Sequence, residues 1–284
     1  MGGRIPRPRL DDVIPLVCID VDGTLVGSSR QVTNEVWKAV DSALERGQNL
    51  ALTTARGAFG SSWEMAQRLD PNGWHVFHAG GATVHTGGLE SKAHAIGAEI
   101  VDAAMEIAQT NDWVLELYSA TAYGVDSDVF EAVDHARLMG IPFERIALSD
   151  FRKAHEEIVR AQFVVAVDDI AAVAEALEPT GLSVSSATSP IMPGTAFVSA
   201  TRTGITKATG IKTICDELGI EMTAVMMIGD GLNDLPAITA VGHPVAMGNA
   251  EDEVKAASRY EVADVENDGV VEALELSASL DPSS

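Results

Sequence analysis

Basic residues are scarce in this chain. Against 42 aspartates and glutamates there are 19 lysines and arginines, a formal net charge of −23 over 284 residues. A nucleic-acid partner needs a basic face to meet its phosphates, so the balance argues against that class and against anionic membrane surfaces. A small phosphorylated ligand stays open, provided a metal and a lysine make one pocket locally positive. Cysteine is nearly absent: Cys18 lies in an apolar run and Cys215 in a helical pattern, which excludes a disulfide framework and predicts two buried free thiols. No apolar run is long enough to span a membrane. The arginines of "MGGRIPRPRLDD" precede "VIPLVCI" as in a signal peptide, but Asp11, Asp12, Pro15 and Asp20 interrupt that pattern; a short disordered tail and a cytoplasmic protein are expected. There is no Walker loop, no G-x-S-x-G and no dinucleotide fingerprint.

What is present is a globular composition, 46% hydrophobic and 21% charged, in a chain long enough for two domains. In "TNEVWKAVDSALERG" Thr33 can cap a helix, Val36, Val40 and Leu44 form its apolar stripe, and Gly47 ends it. "NLALTTARG" is a strand, "SSWEMAQRLD" a helix, and "HVFHAGGATVH" a third strand running into glycines. Strand and helix alternating at short spacing predict parallel βαβ units. The rhythm returns in "GITKATGIKTICDELGI", "TAVMMIGD", "NDLPAITAVG", "HPVAM", "EDEVKAASR", "YEVAD" and "GVVEALELSASL". Between these stretches the helices and strands read as a self-contained α+β unit. The expected architecture is an α/β, Rossmann-like parallel-sheet core with an inserted α+β cap: residues 1–88 and 191–284 form the core and 89–190 the cap.

One stretch conflicts with its setting. "LVCIDVDGTLVG" is an apolar strand that ends in Asp20 and Asp22, then Gly23 and Thr24. Close carboxylates repel each other and are costly to bury, so they mark either a solvated turn or a cation site. An EF-hand loop is excluded, because its sixth position falls on Leu25 and its twelfth on Gln31. Ligands of an open parallel sheet gather outside the carboxyl ends of its strands. Asp20 and Asp22 end the first strand, Thr53 and Thr54 the second, and Asp230 ends "VMMIGD", with Lys207 opening the helix that leads into it. "IGDGLNDLPAI" adds Asn233 and Asp234. A crowd of carboxylates needs a cation, and all-oxygen ligands beside phosphate chemistry indicate Mg²⁺.

At these residues the chain resembles the haloacid dehalogenase superfamily, specifically its Cof-like phosphatases with a large α/β cap. The motifs occur in order: "DVDGTL" at Asp20–Leu25, "TTAR" at Thr53–Arg56, "GITKATG" around Lys207 and "GDGLNDLPAI" from Gly229, with "VAMGNA" at Val245–Ala250 as a further signature. The resemblance implies that Asp20 is a nucleophile forming an aspartyl-phosphate, and that Asp22 protonates the leaving oxygen and then activates water. Thr54, Lys207, Asn233 and the Gly23 turn bind the phosphoryl group. Mg²⁺ is held by the Asp20 carboxylate, the Asp22 carbonyl and Asp230, with Asp234 steadying the metal shell and Lys207. The sequence departs from the family where Ala55 replaces a glycine and where Gly80-Gly81-Ala82 replaces Asn-Gly-Ala. Thr53 and Thr54 compete for the phosphate, and register with Arg56 favours Thr54.

The expected function is Mg²⁺-dependent hydrolysis of a small phosphorylated metabolite, a sugar phosphate by preference. A phosphomutase and a non-catalytic phosphometabolite sensor are the alternatives, and the sequence does not address the oligomeric state. His75, His78, His85 and His94 lack the shared spacing of a zinc site. Core packing is expected for Tyr118 and Tyr123. All four carboxylates, Asp20, Asp22, Asp230 and Asp234, are expected to converge.

Overall fold

The computed structural model describes residues 13–282, so the tail expected at residues 1–12 lies outside the described residues. Contacts divide the chain into two units. Residues 1–55, 65–90 and 206–284 form the first, and residues 56–64 and 91–205 the second.

The first unit is built on β1 (Leu16–Ile19), β2 (Asn49–Leu52), β11 (Val225–Gly229), β12 (His243–Ala246) and β13 (Tyr260–Glu261), in the order β13-β12-β11-β1-β2. Every pairing in it is parallel. Parallel strands are covered on both faces, which is why β1 and β11 are continuous apolar runs, buried at every position. The helices of this unit are α1 (Asn34–Glu45), α2 (Gly60–Leu69, shared with the second unit), α7 (Lys207–Leu218), α8 (Leu235–Ile238), α9 (Asp252–Ala257) and α10 (Gly269–Ser277). Thr33 caps α1 by accepting from the Val36 N–H at 3.2 Å. The buried stripe of α1 is Val36, Val40 and Ala43, with Leu44 only half-buried.

The third strand differs from its expected form. β3 (Trp74–Phe77) stops at His78 and folds back as β4 (Ala82–His85), an antiparallel hairpin that pairs Phe77 with Ala82. His78, Ala79 and Gly80 all take positive φ, the geometry of a tight reversal. Gly80 is required there, because a Cβ at φ +103° would stand 1.9 Å from the Thr206 carbonyl oxygen. A single parallel bridge, Thr53 to Val76, joins β3 to the edge of the main sheet.

The second unit opens with β5 (Ser91–Ala93) and α3 (Ala98–Asn111). Its sheet contains β6 (Val114–Tyr118), β7 (Tyr123–Val125), β8 (Arg160–Ala166), β9 (Ser183–Ser189) and β10 (Met192–Thr201), in the order β7-β6-β8-β10-β9. All its pairings are antiparallel. Its other helices are α4 (Phe130–Met139), α5 (Leu148–Ala154) and α6 (Ile170–Leu177). Strand alternation puts Leu115, Leu117, Phe163, Val165, Ala196 and Val198 into one apolar core with residues of α3 and α6. The opposite face carries buried Glu116, Tyr118 and Gln162 and half-buried Ser199, hydrogen-bonded to one another. Tyr118 is wholly buried on this polar face rather than in the apolar core, and Tyr123 is half-buried.

The sequence boundary at 190 falls short, because β10 completes the second sheet by pairing with both β8 and β9. Residues 56–64 also join the second unit, where the Phe59 ring stacks on Tyr118 at 6.1 Å. The chain therefore passes between the units at four points.

Candidate active site

Register delivers the polar groups. Because β1 pairs Ile19 with Ile228 and with Leu52, the next residues along three neighbouring strands are Asp20, Gly229 and Thr53. Asp20, Asp230 and Thr54 thus leave the sheet at one carboxyl edge.

The chain after β1 turns tightly. The Leu25 N–H donates to the Asp20 carbonyl at 3.2 Å, Val26 N–H to Val21 at 2.8 Å and Gly23 N–H to Val26 at 3.0 Å. Gly23 has φ +86°, and a Cβ there would lie 2.1 Å from Asp230 Oδ2. The turn is thereby pressed against Asp230, whose Oδ1 accepts from the Thr24 hydroxyl at 2.9 Å.

Lys207 is the first residue of α7, behind a capping box formed by Thr206 and Thr209. It is 1% exposed. Its Nζ donates to Asp20 Oδ1 at 2.5 Å and also to Asp234 Oδ1. The other oxygen of Asp234 accepts from the Asp230 and Gly231 N–H groups, each at 3.1 Å, so one buried carboxylate fixes both the lysine and the turn after β11.

Carboxylate oxygens of Asp20, Asp230 and Asp234 lie within 4.8 Å of one another. Of the four carboxylates expected to converge, these three do, whereas the Asp22 side chain is exposed and outside the trio. The physical reason is direction: Asp22 lies within the turn beyond the strand end. Burial pushes the Asp230 carboxyl up to about 6, with the Thr24 hydrogen bond opposing and Asp234 adding to it. Burial also raises Asp20, against the pull of Lys207. Burial works to lower Lys207, but Asp20 and Asp234 outweigh it and hold its ammonium above the usual range. One lysine thus faces three acids in a poorly solvated pocket. A cradle of hard oxygen donors carrying surplus negative charge fits a divalent cation.

Thr54 is buried, its N–H donating to the Val76 carbonyl and its own carbonyl accepting from Ala79, both at 2.9 Å. Thr53 is wholly buried, and its hydroxyl finds no hydrogen-bond partner among the described residues. Asn233 is exposed in the turn after β11. Two contributors escaped the sequence reading. Thr24 was visible only as a turn residue, and Asn249 lay inside the noted "VAMGNA" without a task. Its Nδ2 donates to the Gly23 carbonyl at 2.8 Å. His75 is no metal ligand: its Nδ1 accepts from the Leu52 N–H and its Nε2 faces the Asp70 carbonyl, each at 3.0 Å.

Comparison with known proteins gives a consistent picture. The chain is 26% identical over 271 residues to a 5-amino-6-(5-phospho-D-ribitylamino)uracil phosphatase of Bacillus subtilis, covering 94% of this chain and 96% of that one. It is 26% identical over 263 residues to a phosphoglycolate phosphatase of Methanothermobacter thermautotrophicus, covering 91% and 96%. A crystal structure of a haloacid dehalogenase-like hydrolase from Bacteroides thetaiotaomicron superposes with a TM-score of 0.80 at 26% identity, covering 92% of this chain and 98% of that one. A sugar phosphatase of HAD subclass IIB shares the fold, with a TM-score of 0.75 at 21% identity, covering 93% and 99%. No helix among the described residues is long and apolar enough to cross a membrane. A family model described as haloacid dehalogenase-like hydrolase matches residues 17–274, and the chain belongs to that family.

Proposed function

We propose that this phosphoric monoester hydrolase releases phosphate from a small phosphorylated metabolite, using Asp20 as nucleophile. The observation that carries the reading is the buried Asp20–Lys207–Asp234 ion pair beside Asp230. A carboxylate held by a lysine at a strand end has a fixed direction of attack, and the same lysine is placed to meet phosphoryl oxygens. The Asp20 oxygen attacks phosphorus and the ester P–O bond breaks. The exposed Asp22 carboxyl gives its proton to the departing alkoxide. A water then attacks the aspartyl-phosphate, Asp22 takes the proton from it, and phosphate leaves with Asp20 restored.

Thr54, Asn233 and the Gly23 turn complete the phosphate contacts. Register with Arg56 supports Thr54 as the threonine that binds. Mg²⁺, held by the Asp20 carboxylate, the Asp22 carbonyl and Asp230, supplies positive charge to the phosphoryl group when bound. Asp234 keeps Lys207 charged and in place. The second unit is read as the cap. The relatives' names, a phosphoribitylamino compound and phosphoglycolate, support a small, polar, phosphorylated substrate, and a sugar phosphate is our preferred class.

The test is phosphate release from a panel of phosphorylated metabolites with excess Mg²⁺. Wild type should turn over at least one sugar phosphate and a generic aryl phosphate. Asp20→Asn should abolish turnover with an unchanged fold. An Asp20→Asn variant that keeps a tenth of wild-type kcat would remove Asp20 from this role.

A further inference from the structure

The turn after β1 is held from outside by a side chain that the catalytic reading does not use. Asn249 follows β12 in a loop whose backbone is pinned on both sides. Met247 N–H donates to the Gly229 carbonyl at 3.1 Å and Gly248 N–H to Ala263 at 3.2 Å. Its side-chain Oδ1 accepts from the Val265 N–H at 2.9 Å, and its Nδ2 donates to the Gly23 carbonyl at 2.8 Å. A backbone N–H can only donate and a carbonyl only accept, so these two partners fix which end of the amide is which. The same Nδ2 stands 3.5 Å from Asp230 Oδ2.

We propose that Asn249 is a positioning residue for the Mg²⁺ site, holding the Gly23 turn and Asp230 in the arrangement that binds the cation; this rests on the metal-site reading above. The geometry gives it that task. Asp230 Oδ1 is already engaged by the Thr24 hydroxyl. Asn249 fixes the Gly23 carbonyl and so the peptide plane from which Thr24 reaches Asp230. Gly23 has room for no side chain against Asp230 Oδ2, so a small rotation of this turn moves one or the other. A pre-set carboxylate loses less freedom on binding a cation than a loose one, and hydrogen-bonded neighbours of metal ligands commonly carry a 10–100-fold share of the affinity.

A second tie to the same turn provides the control. Glu266 Oε1 accepts from the Ser28 N–H at 2.7 Å and does not engage Asp230 in any hydrogen bond. If mere tethering of the turn mattered, Glu266 and Asn249 would be equivalent.

The experiment is a thermal-shift titration of the full chain with MgCl₂ in the absence of substrate, on wild type, Asn249→Ala, Asn249→Ser and Glu266→Ala. Asn249 is exposed, so its truncations should fold. The expected result is a Mg²⁺ Kd weakened roughly tenfold in both Asn249 variants and within about twofold of wild type in Glu266→Ala. In turnover of an aryl phosphate, the Asn249 variants should need more Mg²⁺ for half-maximal rate and approach the wild-type kcat once saturated. An unchanged Kd in both Asn249 variants, or an equal loss in Glu266→Ala, overturns the proposal while leaving the metal site standing. A wild type that shows no Mg²⁺ shift overturns the metal-site reading, and the proposal with it.

Discussion

Replacing Lys207 by methionine keeps most of the side chain's volume and removes its charge. Lys207 is 1% exposed and pairs with Asp234, itself 0% exposed, and with Asp20 at 5%. Removing one partner of a buried ion pair leaves uncompensated charge, at a cost of about 3–5 kcal/mol. For a chain of this length about 2–4 °C is lost per kcal/mol, so the melting midpoint of the first unit should fall by roughly 6–20 °C in chelator at pH 8. The second unit should be unaffected if it melts separately.

The pH dependence makes the test specific. Without the ammonium, the folded pKa of Asp20, already raised by burial, rises further above the unfolded value of about 3.9. Between those values the folded state binds a proton that the unfolded chain does not. Variant stability relative to wild type therefore recovers as pH falls through the raised pKa and is lowest above it. The gap should be widest at pH 8 and smaller at pH 5, and excess Mg²⁺ should narrow it at pH 8. Adding Asp234→Asn should recover part of the loss, because it removes one of the stranded charges. Melts followed by circular dichroism suffice. A midpoint within 2 °C of wild type at pH 8 in chelator, or a gap that widens on acidification, would refute the view that this cluster is held by charge compensation.

Other expectations follow from single contacts. At a free Mg²⁺ concentration 100 times its Kd, the folded state should gain about 2.7 kcal/mol and the midpoint about 5–10 °C; Asp230→Ala should remove most of that shift, and equal wild-type midpoints with Mg²⁺ and with chelator would contradict the site. Gly23→Ala places a Cβ 2.1 Å from Asp230 Oδ2 at φ +86°, so it should lower stability by about 1–3 kcal/mol and weaken the Mg²⁺ response; a silent substitution would mean the turn is not pressed on Asp230. Burial pushes His75 down to about 4. A depressed histidine keeps its contribution above the unfolded pKa of 6.5 and loses it as pH falls toward 4, about 3 kcal/mol in all. In a histidine NMR titration His75 should stay neutral past pH 5, and a midpoint near 6.5 would refute its buried, doubly bonded setting.

The parallel sheet was legible because burial on both faces leaves no polar positions inside a strand, so "LVCI" and "VMMIG" announce themselves. The hairpin of β3 and β4 was not, since "HVFHAGGATVH" reads as one apolar strand until three consecutive residues take positive φ. β10 was missed because "MPGTAFVSAT" begins with proline and glycine, which signal a loop. The two sheets of the chain follow different rules. The core sheet is read from unbroken apolar runs, the second from alternation, and alternation is diluted where the outward face is also buried. Glu116, Gln162 and Ser199 occupy that face as a hydrogen-bonded row across β6, β8 and β10, so polarity there does not mean exposure.

At the site, the residues that carry charge were readable and those that hold them were not. A carboxylate at the end of an apolar strand is conspicuous because it is expensive, and Asp20 and Asp230 both are. Asp234 and Lys207 stood out because they belong to the same few motifs. Thr24 and Asn249 carry no such cost: a threonine after a glycine and an asparagine after a glycine are ordinary turn residues in any loop. Their partners are distant in sequence, Asp230 for Thr24 and Gly23 for Asn249, and the registers of β1 against β11 and of β11 against β12 bring them together. Asp22 errs in the opposite sense. Adjacent in sequence to Asp20, it was grouped with the converging carboxylates. Yet the turn carries its side chain to solvent, the position a group that exchanges protons with a leaving oxygen and then with water would need.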